Sequence, residues 1–297
     1  MKLLLILFLL IPLVGCISVK PQNSIPPTPA PSAQAESGTK RSLPDSDSTL
    51  KSTDSLSFAK KFDGFSSPTG LAIDASGNLY VSNWSGGNVV KIDAQGKKST
   101  FADGMGSPAG LAFDREGSLY IADYSKDVIY RVTSGKKTVF AQGLHTPTGI
   151  VFSKSGDLLV TNRSSNEIVK INPNGQVSTA AKGLQTPVGV VEDADGNLYV
   201  TNYSGGISHI TPDGTVKTIS DEFTTPGVGI AINSQNEVFA VDVGEGKIKR
   251  IDKDGKVTNI LQGLNSVVGL LIEENGTFYI ATWGDGTVHQ FNSEKKS

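Results

Sequence analysis

Six positions at a fixed spacing carry most of the side chains that could recognise a ligand. Asn83, Asp123, Asn162, Asn202, Asp242 and Thr282 recur about every 40 residues, and each is followed by a residue of freer choice: Trp84, Tyr124, Arg163, Tyr203, Val243 and Trp283. Four aromatics and one arginine at equivalent places suit sugars, peptides or other flat ligands, because aromatic faces and guanidinium groups dominate binding hot spots. The same rings would equally serve as packing between neighbouring repeats, and the Asn and Asp side chains as caps of their own turns. We therefore take Trp84, Tyr124, Arg163, Tyr203 and Trp283, with Asn83, Asp123, Asn162, Asn202 and Asp242, as the candidate ligand-binding set.

Other reactive side chains are sparse. His145 falls in a loop and His209 at a polar strand position, where solvated side chains are the ordinary reading, while His289 falls at a mixed strand position and is not taken as a site. Glu192 stands where the other repeats carry Ile73, Phe113, Phe152, Ile232 and Ile272, so it either lines a channel or marks a solvated strand end. No catalytic residue is assigned. The single cysteine, Cys16, excludes a disulfide framework and any cysteine-based zinc site within the chain. With 27 Lys and Arg against 29 Asp and Glu in 297 residues, the charge gives no footprint for nucleic acid.

The elements that must hold these residues follow from glycine. The chain has 33 glycines, and the lead glycines Gly70, Gly110, Gly149, Gly189, Gly229 and Gly269 each open a stretch of the form Pro-x-Gly or its variant, followed by an apolar run. A turn comes next, as in Gly77-Asn78, and then a second apolar run, as in Leu79-Tyr80-Val81-Ser82. Asn236 replaces the turn glycine once, which fits a turn needing positive φ. A second turn, as in Asp93-Ala94-Gln95-Gly96, separates a third and a fourth strand. Four strands in about 40 residues, repeated six times, predict an all-β, six-bladed propeller of four-stranded blades over residues 55–297. The sixth repeat lacks its fourth strand, and Leu56–Phe62 aligns with that place. An N-terminal strand should complete the last blade, close the ring and make Trp84 and Trp283 neighbours. Such a closed ring is expected to be a monomer.

The motifs Pro68-Thr69-Gly70-Leu71-Ala72-Ile73-Asp74 and Gly77-Asn78-Leu79-Tyr80-Val81-Ser82-Asn83 resemble NHL-type repeats. They are also similar to the wider superfamily of six-bladed propellers that includes gluconolactonase-like hydrolases and streptogramin lyase. The hydrolase relatives imply a calcium or zinc ion in the central channel, held by Asn, Asp and Glu beside the lead glycines. Here those positions hold Thr69, Ala109, Thr148, Val188, Val228 and Val268. Oxygen-rich coordination of a hard cation cannot be built from them, so no metal or other cofactor is expected. Calcium or zinc belongs only to the alternative of a metal-dependent hydrolase or lyase.

Two segments precede the repeats. Met1-Lys2 and the apolar run from Leu3 to Val14 are too short to span a bilayer and fit a secretory signal, residues 1–15. The run ends Leu13-Val14-Gly15-Cys16, which resembles the lipobox of bacterial lipoproteins and implies lipidation of Cys16. Isoleucine at position 17 favours the outer membrane if the cell is Gram-negative. Residues 16–54, with the lipidated cysteine first, are rich in Pro, Ser, Ala and Thr and have no aromatic residue. Such a stretch cannot offset its ordering entropy and serves as a tether, about 30–40 Å long if flexible. The expectation is an exported lipoprotein, anchored to the envelope, whose propeller binds a protein, peptide or glycan without catalysis.

Overall fold

The structure is a computed structural model, and it describes residues 50–52, 56–233, 235–252 and 254–293. The signal run, Cys16 and most of the tether lie outside the described residues. Among these residues no helix is long and apolar enough to cross a membrane.

Six antiparallel sheets form the six blades. Blade one runs Pro68–Ile73, Leu79–Asn83, Asn88–Ile92 and Lys98–Ala102 from its innermost to its outermost strand. Blades two to five begin at the innermost strands Pro108–Phe113, Pro147–Phe152, Pro187–Glu192 and Pro226–Ile232. Blade six takes Val267–Ile272, Thr277–Thr282 and Thr287–Ser293 from the C-terminal end. Its outermost strand is Leu56–Phe62, paired antiparallel with Thr287–Ser293 from Leu56 opposite Ser293 to Phe62 opposite Val288. The ring is thus closed as the repeat register requires. One pairing lies inside the stretch assigned to the tether: Lys51 and Ser52 face Gln262 and Leu261, adding a fifth strand to blade five.

Apolar side chains on the two faces of each sheet pack against the next blade. Val81, Leu119, Ile121, Leu158, Val160, Val200, Ala240 and Ile280 are all fully buried. The lead glycines set how closely the blades approach. A Cβ on Gly110 would stand 2.5 Å from Thr148 O, and one on Gly149 2.6 Å from Val188 O, both backbone atoms of the next blade. Only glycine fits such a crossing. The turn after the innermost strand also needs positive φ, which Gly77 (77°) and, in blade five, Asn236 (60°) supply.

The turns are locked by carboxylates. Asp74 accepts the N–H groups of Ser76 and Asn78 and the Tyr80 hydroxyl, all at 2.9 Å. Burial pushes its carboxyl up, but the Asn78 side-chain amide, together with these bonds, outweighs it and leaves Asp74 below the usual carboxylate range. Tyr279 shows the other half of the arrangement: burial first, then the neighbouring Glu273, pushes its hydroxyl up to about 12.

Candidate functional site

One mouth of the ring is built from two loops per blade, the loop entering the innermost strand and the loop leaving the second strand. They are bracketed together in the same way around the ring. The backbone N–H groups of Trp84, Tyr124, Arg163, Tyr203, Val243 and Trp283 donate to the carbonyls of Ser67, Ser107, Thr146, Thr186, Thr225 and Ser266, at 2.8–3.3 Å. The preceding Asn or Asp reaches back to the same entry loop. Asp123 accepts Gly106 N–H at 2.7 Å and Ser107 N–H at 3.0 Å, Asp242 accepts Thr224 and Thr225 N–H, and Asn83, Asn162 and Asn202 each accept one such N–H. These five side chains are buried. They tie two loops about 17 residues apart rather than only capping their own turn.

That bracket fixes where the next side chain stands. The Trp84 ring lies 4.7 Å from the Tyr124 ring and 6.0 Å from the Trp283 ring. The Arg163 guanidinium sits 5.6 Å from the Tyr124 ring centre and 5.1 Å from that of Tyr203. Arg163 Nη1 donates to the Tyr124 hydroxyl at 2.8 Å. Trp283, Trp84, Tyr124, Arg163 and Tyr203 therefore form one unbroken arc over five blades, with Val243 at the sixth place. All are half-buried except Tyr203, which is exposed. Trp283 Nε1 donates to Thr69 Oγ1 at 3.1 Å, which pulls its ring across the seam between blades six and one. Trp84 also packs on the buried cluster around Ala109 and Tyr120, so the arc has a structural side as well as a free one.

Behind the arc the central channel encloses 460 Å³, lined among others by Thr69, Leu71, Phe113, Phe152, Glu192 and Ile232. Glu192 is half-buried at the far end, where its Oε2 accepts Lys154 N–H at 2.6 Å. Of the positions that the hydrolase resemblance would fill with metal ligands, Val228 is half-buried and the others are buried. Thr69, Ala109, Thr148, Val188 and Val268 are buried, and the Thr69 and Thr148 hydroxyls donate to Ser67 O and Thr146 O at 3.1 Å. Thr, Ala and Val supply no carboxylate or amide oxygen, so these residues do not fit a hard cation. Among the described residues no three His, Cys, Asp or Glu side chains are grouped to hold a metal.

The histidines are dispersed. His145 is exposed on the entry loop of blade three, at the arc's mouth, with its carbonyl bonded to Ser164 N–H at 3.1 Å. The His209 ring lies tilted against the Tyr199 ring, 5.0 Å between centres. His289 is buried in blade six, 2.8 Å from Thr287 Oγ1.

One polar group went unforeseen. Lys249, at the blade-five place held by Val90 and Val169 in blades one and three, is buried. Its Nζ lies 2.7 Å from Asp242 Oδ2, 2.6 Å from Glu222 O and 3.3 Å from Glu245 Oε2. A second cavity of 500 Å³ opens beside it, lined by Asp221, Glu222, Thr224, Glu245 and Lys247.

The sequence model of the Virginiamycin B lyase family matches residues 60–296, the whole ring but its first few residues. The chain belongs to that family. No curated protein sequence matches it. Among solved structures, the virginiamycin B lyase of Staphylococcus aureus is 16% identical, with a TM-score of 0.64 over 82% of this chain and 99% of that one. A gluconolactonase from Xanthomonas campestris is also 16% identical, with a TM-score of 0.71 over 78% of this chain and 88% of its own. A chain of a nidogen–laminin complex is 20% identical, with a TM-score of 0.66 over 73% of this chain and 89% of its own. The fold of this Virginiamycin B lyase family member is thus shared with two enzymes and with a protein from an assembly of two proteins.

Proposed function

We propose that the ring is a binding module, held to the cell envelope by a lipid on Cys16, which presents the arc of Trp283, Trp84, Tyr124, Arg163 and Tyr203 to an envelope protein, peptide or glycan. The arc is the observation that carries this reading. Six equivalent positions are held alike by backbone bonds, yet five carry large aromatic or cationic side chains and concentrate them on one mouth. Repetition explains the frame, whereas the choice of side chains fits recognition. The nidogen–laminin neighbour supports the reading, since this fold also occurs in a protein–protein complex. A comparison of partner capture from envelope extracts by the wild type and by Trp84→Ala, Arg163→Ala and Trp283→Ala tests it. Capture should be lost in the variants while the thermal midpoint stays within a few degrees. Equal capture by folded variants would sink the reading. Incorporation of labelled palmitate, lost in Cys16→Ser, tests the anchor.

Family membership favours a second reading, a lyase. The Staphylococcus aureus enzyme is made catalytically inactive by a single histidine-to-alanine substitution and has been crystallised with quinupristin. Here His145 is the one histidine on the arc's mouth. Turnover of quinupristin that disappears in His145→Ala would favour the lyase. Elemental analysis finding stoichiometric calcium or zinc in the purified chain would revive the metal-dependent version.

A further inference from the structure

Arg163 is more exposed to a ligand's charge than to any charge of its own protein. Among the described residues no carboxylate pairs with it: its contacts are the two tyrosine rings and the Tyr124 hydroxyl. Its Nε is buried without an acceptor. A guanidinium clamped between two rings keeps its planar fork in one orientation, and that geometry matches a carboxylate.

The hydroxyls around the arc are distributed unevenly. In blades one to four the two mouth loops share a pair of hydroxyls: Ser67 with Ser85 (2.9 Å), Ser107 with Ser125 (2.6 Å), Thr146 with Ser164 (2.7 Å) and Thr186 with Ser204 (3.1 Å). The serine of each pair after the second strand is exposed. In blades five and six glycine replaces that serine, and a Cβ on Gly244 would press against Thr224 Cγ2 at 2.8 Å. The hydroxyl pairs thus border the four blades that carry Trp84, Tyr124, Arg163 and Tyr203.

At this mouth Trp283 is tied across the seam to Thr69, and Thr69, Ala109, Thr148, Val188 and Val268 beneath it are buried. The mouth offers aromatic faces, which accept the apolar face of a pyranose ring, hydroxyl pairs, which can exchange bonds with sugar hydroxyls, and the Arg163 guanidinium, which has no counter-ion among the described residues. We infer that the mouth binds an acidic saccharide, with sugar rings on the Trp84 and Trp283 faces and a carboxylate on Arg163. This inference rests on the arc being the binding face.

The molecule carries its own reporter. Trp84 and Trp283 are its two tryptophans, so tryptophan emission reads this mouth and nothing else. The full chain is titrated with matched pairs of oligosaccharides, uronic-acid and sialic-acid members beside their methyl esters. A saturable emission change is expected with an acidic member, and its ester should bind about tenfold more weakly for loss of the charged pair. Arg163→Ala should bind acid and ester alike, and Trp84→Ala should lose both. No response to any acidic member, equal response to the ester, or an unchanged Arg163→Ala overturns the inference. If Trp84→Ala does not fold, Arg163→Ala carries the test, judged by its thermal midpoint. Arc-dependent binding of a peptide or protein without any saccharide response would overturn the saccharide and leave the binding face standing; failure of both removes the binding face as well.

Discussion

Asp242 and Lys249 occupy places that other blades fill more cheaply. Blade one has Asn83 with Val90, and blade three Asn162 with Val169, and both keep the loop bracket without a buried charge. In blade five the lysine is held by Asp242, the Glu222 carbonyl and Glu245. Removing one partner of a buried pair strands the other charge at a cost of about 3–5 kcal/mol, whereas an apolar replacement of the pair is often neutral. Lys249→Val should therefore destabilise strongly, and Asp242→Asn with Lys249→Val, which copies blades one and three, should recover most of the loss in thermal melts. The pair also predicts a pH dependence. Burial raises the Asp242 carboxyl, but the Lys249 bond and the Thr224 and Thr225 N–H groups outweigh it and hold it below its ordinary 3.8. A carboxyl lowered on folding stabilises at pH above that value and loses its contribution as pH falls through the folded one. The acid limb of stability below pH 3.8 should be shallower in the double variant than in the wild type. The lysine gave no signal in sequence, because its position is mixed among the repeats, with Val90, Tyr130, Val169, Ser208 and His289 as its equivalents. Its counter-ion lies in the row of Asn and Asp residues that spacing alone makes look like turn caps. The loop N–H partners of that row are about 17 residues upstream, a tertiary relation that no local pattern encodes.

At the scale of the element the sequence is far more explicit. Leu56–Phe62 emerges with the bounds expected from the repeat, because turn glycines and apolar runs are local signals that happen to recur. The Lys51–Ser52 strand gave no such signal: two residues have no periodicity, and their pairing is chosen by the edge of blade five. The two N-terminal strands should differ in consequence. Deleting residues 56–62 removes the seven-residue partner of Thr287–Ser293 and should abolish the cooperative thermal transition, since it leaves blade six with an open edge. Deleting residues 50–52 should lower the midpoint by only a few degrees. The innermost strands make a third case. Gly149→Ala would push a Cβ to 2.6 Å from Val188 O, where backbone on both sides cannot yield, and should cost at least the usual 1–3 kcal/mol, roughly, of overpacking. The lead glycine is visible in sequence as a constant of the repeat. Its reason, the crossing of neighbouring blades, becomes visible only when the ring is closed.

The whole molecule keeps sixfold bonding with unequal dressing. The backbone bond that brackets the two mouth loops recurs in every blade, while Arg163, the hydroxyl pairs and Glu192 each occur on part of the ring. Fold could therefore be inferred from what recurs, and the candidate site from what does not. The ring also joins its two ends. Ser57 and Asn292 bond across a separation of 235 residues, and no other strand pairing can substitute for theirs. Contacts so distant in sequence make for slow folding. In refolding, tryptophan emission from the seam between blades one and six should recover with the slowest phase, later than far-ultraviolet dichroism. A ribosome making this chain completes five blades while Leu56–Phe62 still waits, its edge unpaired, for Thr287–Ser293 to be synthesised. Whatever escorts the nascent chain must shield that edge from start to finish, and a stop codon placed shortly before Thr287 would leave a nearly complete ring that cannot shut.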